Sequence, residues 1–115
     1  MNIEEYTNFC LKLDGVTEGF PFDKSTLVLK VYGKMFALFD VDKFEGINLK
    51  CDPEKALDLR ERFYGINPGY HMSKKHWNTV AVNSDVDDLM IFELTKYSYD
   101  LVFSFLPKKF KDTLN

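Results

Sequence analysis

The chain has 115 residues, a formal net charge of −3 and a pI near 5.3, with 45% hydrophobic and 29% charged residues. That length and balance predict a single globular domain, 1–115, and argue against disorder. The acidic pI argues against a nucleic-acid binder built on bulk basic charge, so only a local basic face is left to attract phosphates.

Eleven Phe and six Tyr provide for a dense core without staples, since each buried ring covers on the order of 150–250 Å². Cys10 and Cys51 form no CxxC pair and read as free thiols of a reducing compartment. No apolar run approaches the ~20 residues needed to span a membrane. The opening MNIEEYTNF lacks the basic and apolar regions of a signal peptide. The expectation is a cytoplasmic protein with no membrane association.

Asn2 is expected to cap a first helix, with Glu5 three residues on and Ile3, Tyr6, Cys10 and Leu13 along one stripe. Gly15 offers a left-handed stop, and GFPF at 19–22 reads as a turn fixed by Pro21. TLVLKV (26–31) and KMFALFDV (34–41) are β-rich runs joined by the two-residue turn Tyr32-Gly33. With Val31 opposite Lys34, a regular ladder sets Leu29 against Phe36 and Leu27 against Leu38 on the core side. Lys30 then pairs with Met35 on the other side, and Val28, Ala37 and Phe39 point outward.

Ile47–Cys51 alternates as a third strand, with Ile47, Leu49 and Cys51 inward and Asn48 and Lys50 outward. Asp52 caps a second helix that opens on Pro53, carries Ala56, Leu57, Leu59 and Phe63 as its apolar positions, and stops at Gly65. Two short strands are expected at Tyr70–Ser73 and Trp77–Val82. Ser84 or Asp85 then caps a last helix, which buries Leu89, Phe92, Tyr97, Leu101 and Phe105 and ends at Pro107. The order α-β-β-β-α-β-β-α predicts a two-layer α+β fold, an antiparallel sheet with helices on one face.

The span from Gly65 to Val82 contains no carboxylate, yet holds both histidines, the sole tryptophan and two adjacent lysines. His71, Lys74, Lys75, His76, Trp77 and Asn78 are therefore candidates for a contact hairpin, with lysines for phosphates and rings for stacking or groove lining. Lys30 and Lys34 on the first hairpin, and Lys50 on the next strand, are candidates for a second basic contact. A plainer account stays open: lysines solvate turns and discourage edge pairing, and a lone Trp packs.

His71 and His76 stand five apart with no cysteine near, short of the roughly four ligands a zinc site wants. No metal or cofactor is expected. There is no Gly-rich phosphate loop, nucleophile elbow, HExxH or paired-carboxylate motif, and Ser73 with His76 lacks an orienting acid nearby. The residues predict a binding protein and not an enzyme.

Four ordered blocks, FPFDKSTLVLKVYGKMFAL, NLKCDPEKALDLRERF, PGYHMSKKHWNTV and SYDLV with LPKK, resemble the MmcQ/YjbR-like proteins of bacteria. The resemblance covers nearly the whole chain. It implies a fold similar to type III secretion chaperones and frataxin-like domains, and DNA binding through a double wing. The wings would be the Lys30–Lys34 hairpin and the His71–Asn78 segment. A frataxin-like iron role would want a broad acidic face on the first helix, and Glu4 and Glu5 are too few. Ser98 and Tyr99 fall in a resembling block, and their hydroxyls are expected to satisfy local hydrogen bonds. The alternative to DNA is a protein-interaction or chaperone-like regulatory module using the outer sheet face, with Val28, Ala37 and Phe39 as its apolar contacts.

Overall fold

In the computed structural model, which describes residues 1–109, the chain runs α1 (Ile3–Leu11), β1 (Val16–Gly19), β2 (Thr26–Val31), β3 (Lys34–Asp40), β4 (Gly46–Lys50), α2 (Pro53–Arg62), β5 (Ile66–Pro68), β6 (Trp77–Ala81) and α3 (Asp88–Ser104). Residues 110–115 of the expected domain lie outside the described residues. The six strands form one antiparallel sheet of order β1-β2-β3-β4-β6-β5. Tyr6 and Cys10 of α1, Ala56 and Leu59 of α2, and Ile91, Leu94 and Val102 of α3 share one core with Leu29, Phe36, Phe39, Ile47, Leu49 and Val80 of the sheet. The α+β class and the helices on one face are as the sequence predicts. Among the described residues no helix is long and apolar enough to cross a membrane.

The helix starts follow local chemistry. Asn2 Oδ1 accepts the Glu5 N–H at 2.8 Å. Asp52 Oδ2 accepts from Glu54 and Lys55 N–H, with Pro53 opening α2. The third helix starts later than expected: Asp87 caps it, accepting from Met90 N–H at 2.8 Å. Asp85 is engaged elsewhere, its two oxygens taking the Tyr64 and Gly65 N–H groups at 2.7 Å each.

One strand escaped the sequence pattern. β1 pairs with β2 from Val16↔Val31 to Gly19↔Val28, and VTEG is too short and polar to announce itself. The segment Tyr70–Ser73 is not a strand. β6 pairs instead with Ile66–Pro68, and the chain leaves the sheet at Gly69, where His71 adopts φ +59.

The first hairpin carries a β-bulge. Val31 faces Lys34 and Lys30 faces Met35 as predicted, but the ladder shifts at Phe36, so that Leu29 faces Ala37 and Leu27 faces Phe39. Ala37 and Phe39 therefore join the main core, and Leu38 turns outward with Val28. The expected outward positions of Ala37 and Phe39 are corrected by this one extra residue.

Next to the bulge, a side chain from α3 takes the place of strand pairing between β3 and β4. Pairing of β3 with β4 comprises Ala37↔Leu49 and Leu38↔Asn48. Beyond it, Ser98 Oγ donates to Phe36 O at 2.6 Å and accepts from Lys50 N–H at 2.9 Å. Thr95 Oγ1 lies 2.8 Å from Tyr6 OH, joining α3 to α1, and Tyr99 OH donates to Asp14 O at 2.6 Å. The expectation of purely local bonds for Ser98 and Tyr99 is thus overturned. The buried stripe of α3 is Ile91, Leu94, Thr95, Ser98, Tyr99 and Val102, whereas Leu89 and Phe105 are exposed. Of the expected stripe, Phe92 and Tyr97 do pack against the core, half-buried at its margin, so choosing the most apolar residues found one edge of the buried side and missed its centre.

Two outcomes follow in urea melts. Ser98→Ala strands a buried carbonyl and a half-buried N–H and should destabilise by about 1–3 kcal/mol, and Phe36→Ala by about 3–5 kcal/mol. Lys30→Ala, on the outer face, should stay within about ±0.5 kcal/mol. A Ser98→Ala cost no larger than that of Lys30→Ala would remove the bridge from the account of the fold. A third outcome concerns Cys10, whose thiol burial pushes up to about 12 from its ordinary 9.0. Its contribution to stability is complete below the ordinary value and is lost as pH climbs toward the raised one. Cys10 should resist alkylation at about pH 8.5 until the chain unfolds, which mass spectrometry of labelled peptides reads directly.

Candidate nucleic-acid interface

The outer face of the sheet is the side without helices, and register decides what it presents. Val28, Leu38 and Trp77 are buried there as a second small cluster, with Met35 and Met72 packed against it. Beside them Thr79 Oγ1 donates to Asn48 Oδ1 at 2.6 Å, and Asn48 Nδ2 reaches Leu38 O at 3.4 Å. The sequence places Asn48 and Lys50 outward, and there they are.

The first hairpin turns through Tyr32 (φ +47) and Gly33 (φ +85). Positive φ at both central residues matches the right-handed twist of the strands, and glycine takes it without penalty. This turn carries Lys30 and Lys34 at its base.

The second hairpin is irregular and is held from the far side of the sheet. Asn78 is inward, 2% exposed, and accepts Arg60 Nε–H at 2.7 Å through Oδ1. Arg60, from the last turn of α2, also donates to the carbonyls of Lys74 and Trp77. The loop closes on itself through Gly69 N–H to Trp77 O at 2.9 Å and Lys74 Nζ to Gly69 O at 3.2 Å. A Cβ at Gly69 would sit 2.8 Å from Trp77 Cβ, so a side chain there would push the loop off the sheet. His76 O accepts the Cys51 N–H at 2.8 Å, extending the seam with β4.

Between the hairpins lies a groove of about 480 Å³ lined by Lys34, Met35, Lys50, Trp77, Val102 and Phe105. Its mouth opens where β3 begins and β4 ends, the end at which Ser98 replaces strand pairing. Among the described residues no carboxylate lines it. Among the described residues the ion pairs are the N-terminus with Asp88, Arg62 with Asp58, and Lys96 with Asp100, none at this groove. Lys50 Nζ stands 5.9 Å from the Phe105 ring centroid. Acids gather at the opposite end of the same face, where Asp40 pairs with Thr26 and where the N–H groups of Thr26 and Ser25 hold the Asp23 carboxyl below its ordinary range.

The candidate residues divide accordingly. Lys34, Lys50 and an edge of Trp77 meet in the groove, Lys30 faces the groove residue Met35 across the ladder, and Lys75 is exposed two residues from Trp77. Lys74 is exposed, but its ammonium is tied to Gly69 O. Asn78 is turned away as a structural anchor, because strand alternation sends it inward once Trp77 is outward. Trp77 is 7% exposed and packs against Val28 and Leu38, so it offers no open stacking face. His71 belongs to a separate groove of about 470 Å³ with Phe22, Asp23, Tyr70 and Met72, its ring 4.0 Å from that of Tyr70. His76 is exposed, and its backbone N–H donates to Ser73 O at 3.2 Å. Among the described residues no group of three or more His, Cys, Asp or Glu is placed to hold a metal ion.

Sequence reasoning missed Arg60 and Phe105. Arg60 looks like any helix C-terminal base, and only the fold brings it to Asn78. Replacing it with Ala removes charge-assisted bonds from a half-buried site and should cost about 1.5–3 kcal/mol, while Arg62→Ala, exposed, should stay within about ±0.5 kcal/mol. Hydrogen exchange should localise the loosening to residues 69–77; equal protection there in both variants would show that the loop does not depend on Arg60.

Comparison with known proteins agrees with this fold. Residues 11–101 match the family model described as YjbR. The chain is 35% identical over 107 residues to protein YbdF of Escherichia coli O157:H7, covering 92% of this chain and 88% of that one. It is 29% identical over 110 residues to protein YjbR of Escherichia coli K12, covering 95% and 93%. A crystal structure of the Deinococcus radiodurans protein DR2400 superposes with a TM-score of 0.91 at 37% identity, covering 98% of this chain and 87% of that one. A Pseudomonas syringae protein superposes at 0.74 with 29% identity, covering 88% and 98%. With a shared model across most of its length and a shared fold, the chain belongs to the YjbR family.

Proposed function

We propose that this protein is a DNA-binding module that grips phosphates with the lysine-bearing end of its outer sheet face. The observation that carries this reading is charge segregation. In a chain of net charge −3, Lys34 and Lys50 line a groove to which no carboxylate among the described residues contributes, and Lys30 and Lys75 stand on the two hairpins beside it. Convex hairpins flanking a cationic groove suit a backbone that is followed by its charge, and such contacts position a protein without reading sequence. Asn78 contributes by building the second hairpin and not by touching the ligand, while Trp77 builds the same hairpin and lends only an edge to the groove.

A second reading, a protein partner on the same face, draws support from Phe22 and Tyr70, 63% and 71% exposed, over the groove floored by Met35, Leu38 and Met72. The two readings respond differently to salt. Four phosphate contacts, from Lys30, Lys34, Lys50 and Lys75, give a logarithmic salt slope of about −3.6, at roughly −0.9 per contact. Fluorescence anisotropy with labelled oligonucleotides between about 50 and 200 mM salt measures it. Lys34→Ala with Lys50→Ala should flatten the slope by about 1.8 without changing the melting temperature. Absence of binding at high micromolar protein in the lowest salt would end the DNA reading and leave the apolar face as the one to pursue.

A further inference from the structure

We infer that the groove between the hairpins is a receptor for one unpaired aromatic ring carrying an anion, as in a single nucleotide of an unpaired strand. The inference rests on the proposal that these lysines hold phosphates, and goes beyond it by naming what enters the groove. Shape is the first argument. Reading a duplex takes a protruding element, a helix or ribbon, that enters a recessed groove of the nucleic acid. Here the feature beside the lysines is recessed in the protein, so it accepts a group that protrudes from its partner. An extruded or unpaired base is such a group; a stacked pair is not.

The second argument is the chemistry of the lining. Met35, Val102 and the edge of Trp77 form apolar walls, and the rim holds Lys34 and Lys50. Phe105 is 74% exposed although it is a large apolar ring at the end of α3, with a lysine ammonium 5.9 Å from its centroid. An exposed phenyl beside two cations provides a stacking surface with phosphate partners at its edge, the combination that binds single strands with little sequence preference. At about 480 Å³ the groove has the volume of a small-ligand site, enough for one nucleotide and far short of a helix.

Trp77, the sole tryptophan, sits in the wall and reports occupancy without any substitution. The test titrates the full chain with an oligothymidylate, the same strand paired to its complement, an abasic strand of equal length, and free thymidine monophosphate, following both anisotropy and Trp77 emission. The expected result is tighter binding of the oligothymidylate than of the duplex or the abasic strand, with a change in Trp77 emission for the base-bearing strand alone. Phe105→Ala, at an exposed position, should weaken that binding about 5- to 150-fold and leave duplex affinity and the melting temperature unchanged. If free monophosphate binds as tightly as the strand and shifts Trp77 equally, the groove stands and its ligand is a mononucleotide. Equal, salt-sensitive binding of all three nucleic acids with silent Trp77 overturns the inference and leaves phosphate gripping intact. No binding of any probe overturns both.

Discussion

The hydroxyl of Ser98 is the point on which the sheet depends. Beside the β-bulge that Phe36 makes in the β2–β3 ladder, the pairing of β3 with β4 stops at Ala37↔Leu49, and the Phe36 carbonyl and the Lys50 N–H turn to Ser98 instead. Either alone carries the penalty of an unsatisfied buried polar group. A serine hydroxyl has one donor and two acceptor positions, so a single atom meets both needs. It does so from the middle of α3, which fixes that helix in translation and rotation over the sheet. Thr95 toward α1 and Tyr99 toward the Asp14 carbonyl then set its remaining contacts.

The lysine-lined groove lies at the same place, beside Met35 and Lys50. Because pairing stops at Ala37↔Leu49, the strand ends part and the end of α3 reaches the gap with Val102 and Phe105. Structure on the helical face thereby shapes a recess that also draws on Trp77 from the outer face. Arg60 works in the same direction, crossing from α2 to hold the loop that seats Trp77.

Much of this was legible in the residues. Asn2 and Asp52 announce their caps, Tyr32-Gly33 its turn, and Ile47–Cys51 its faces, because each depends on neighbours within a few positions. The bulge was not legible: Phe36, Ala37, Leu38 and Phe39 are all apolar, so alternation carries no information about where a residue is inserted. The buried stripe of α3 was hidden for a related reason. Thr95 and Ser98 look like surface residues unless one knows that carbonyls and hydroxyls 62 and 89 residues away need them. Among the candidate site residues, Lys30 and Lys50 lie on the face where the alternation put them. Asn78 and Trp77 differ because the role of each is set by partners that only the fold supplies.

The sheet ends in two short strands, β1 with four residues and β5 with three, the latter closing on Pro68. Proline has no N–H to offer a neighbour, and Glu18 places a charge on the opposite border. Each border therefore presents only a brief, interrupted ladder, a design that discourages strand addition and fibrillar association between copies. The margins of the sheet are thereby closed to pairing while its outer surface stays open. A chain rich in aromatic residues is thus able to keep a bare face in water without inviting its own kind to stack along it.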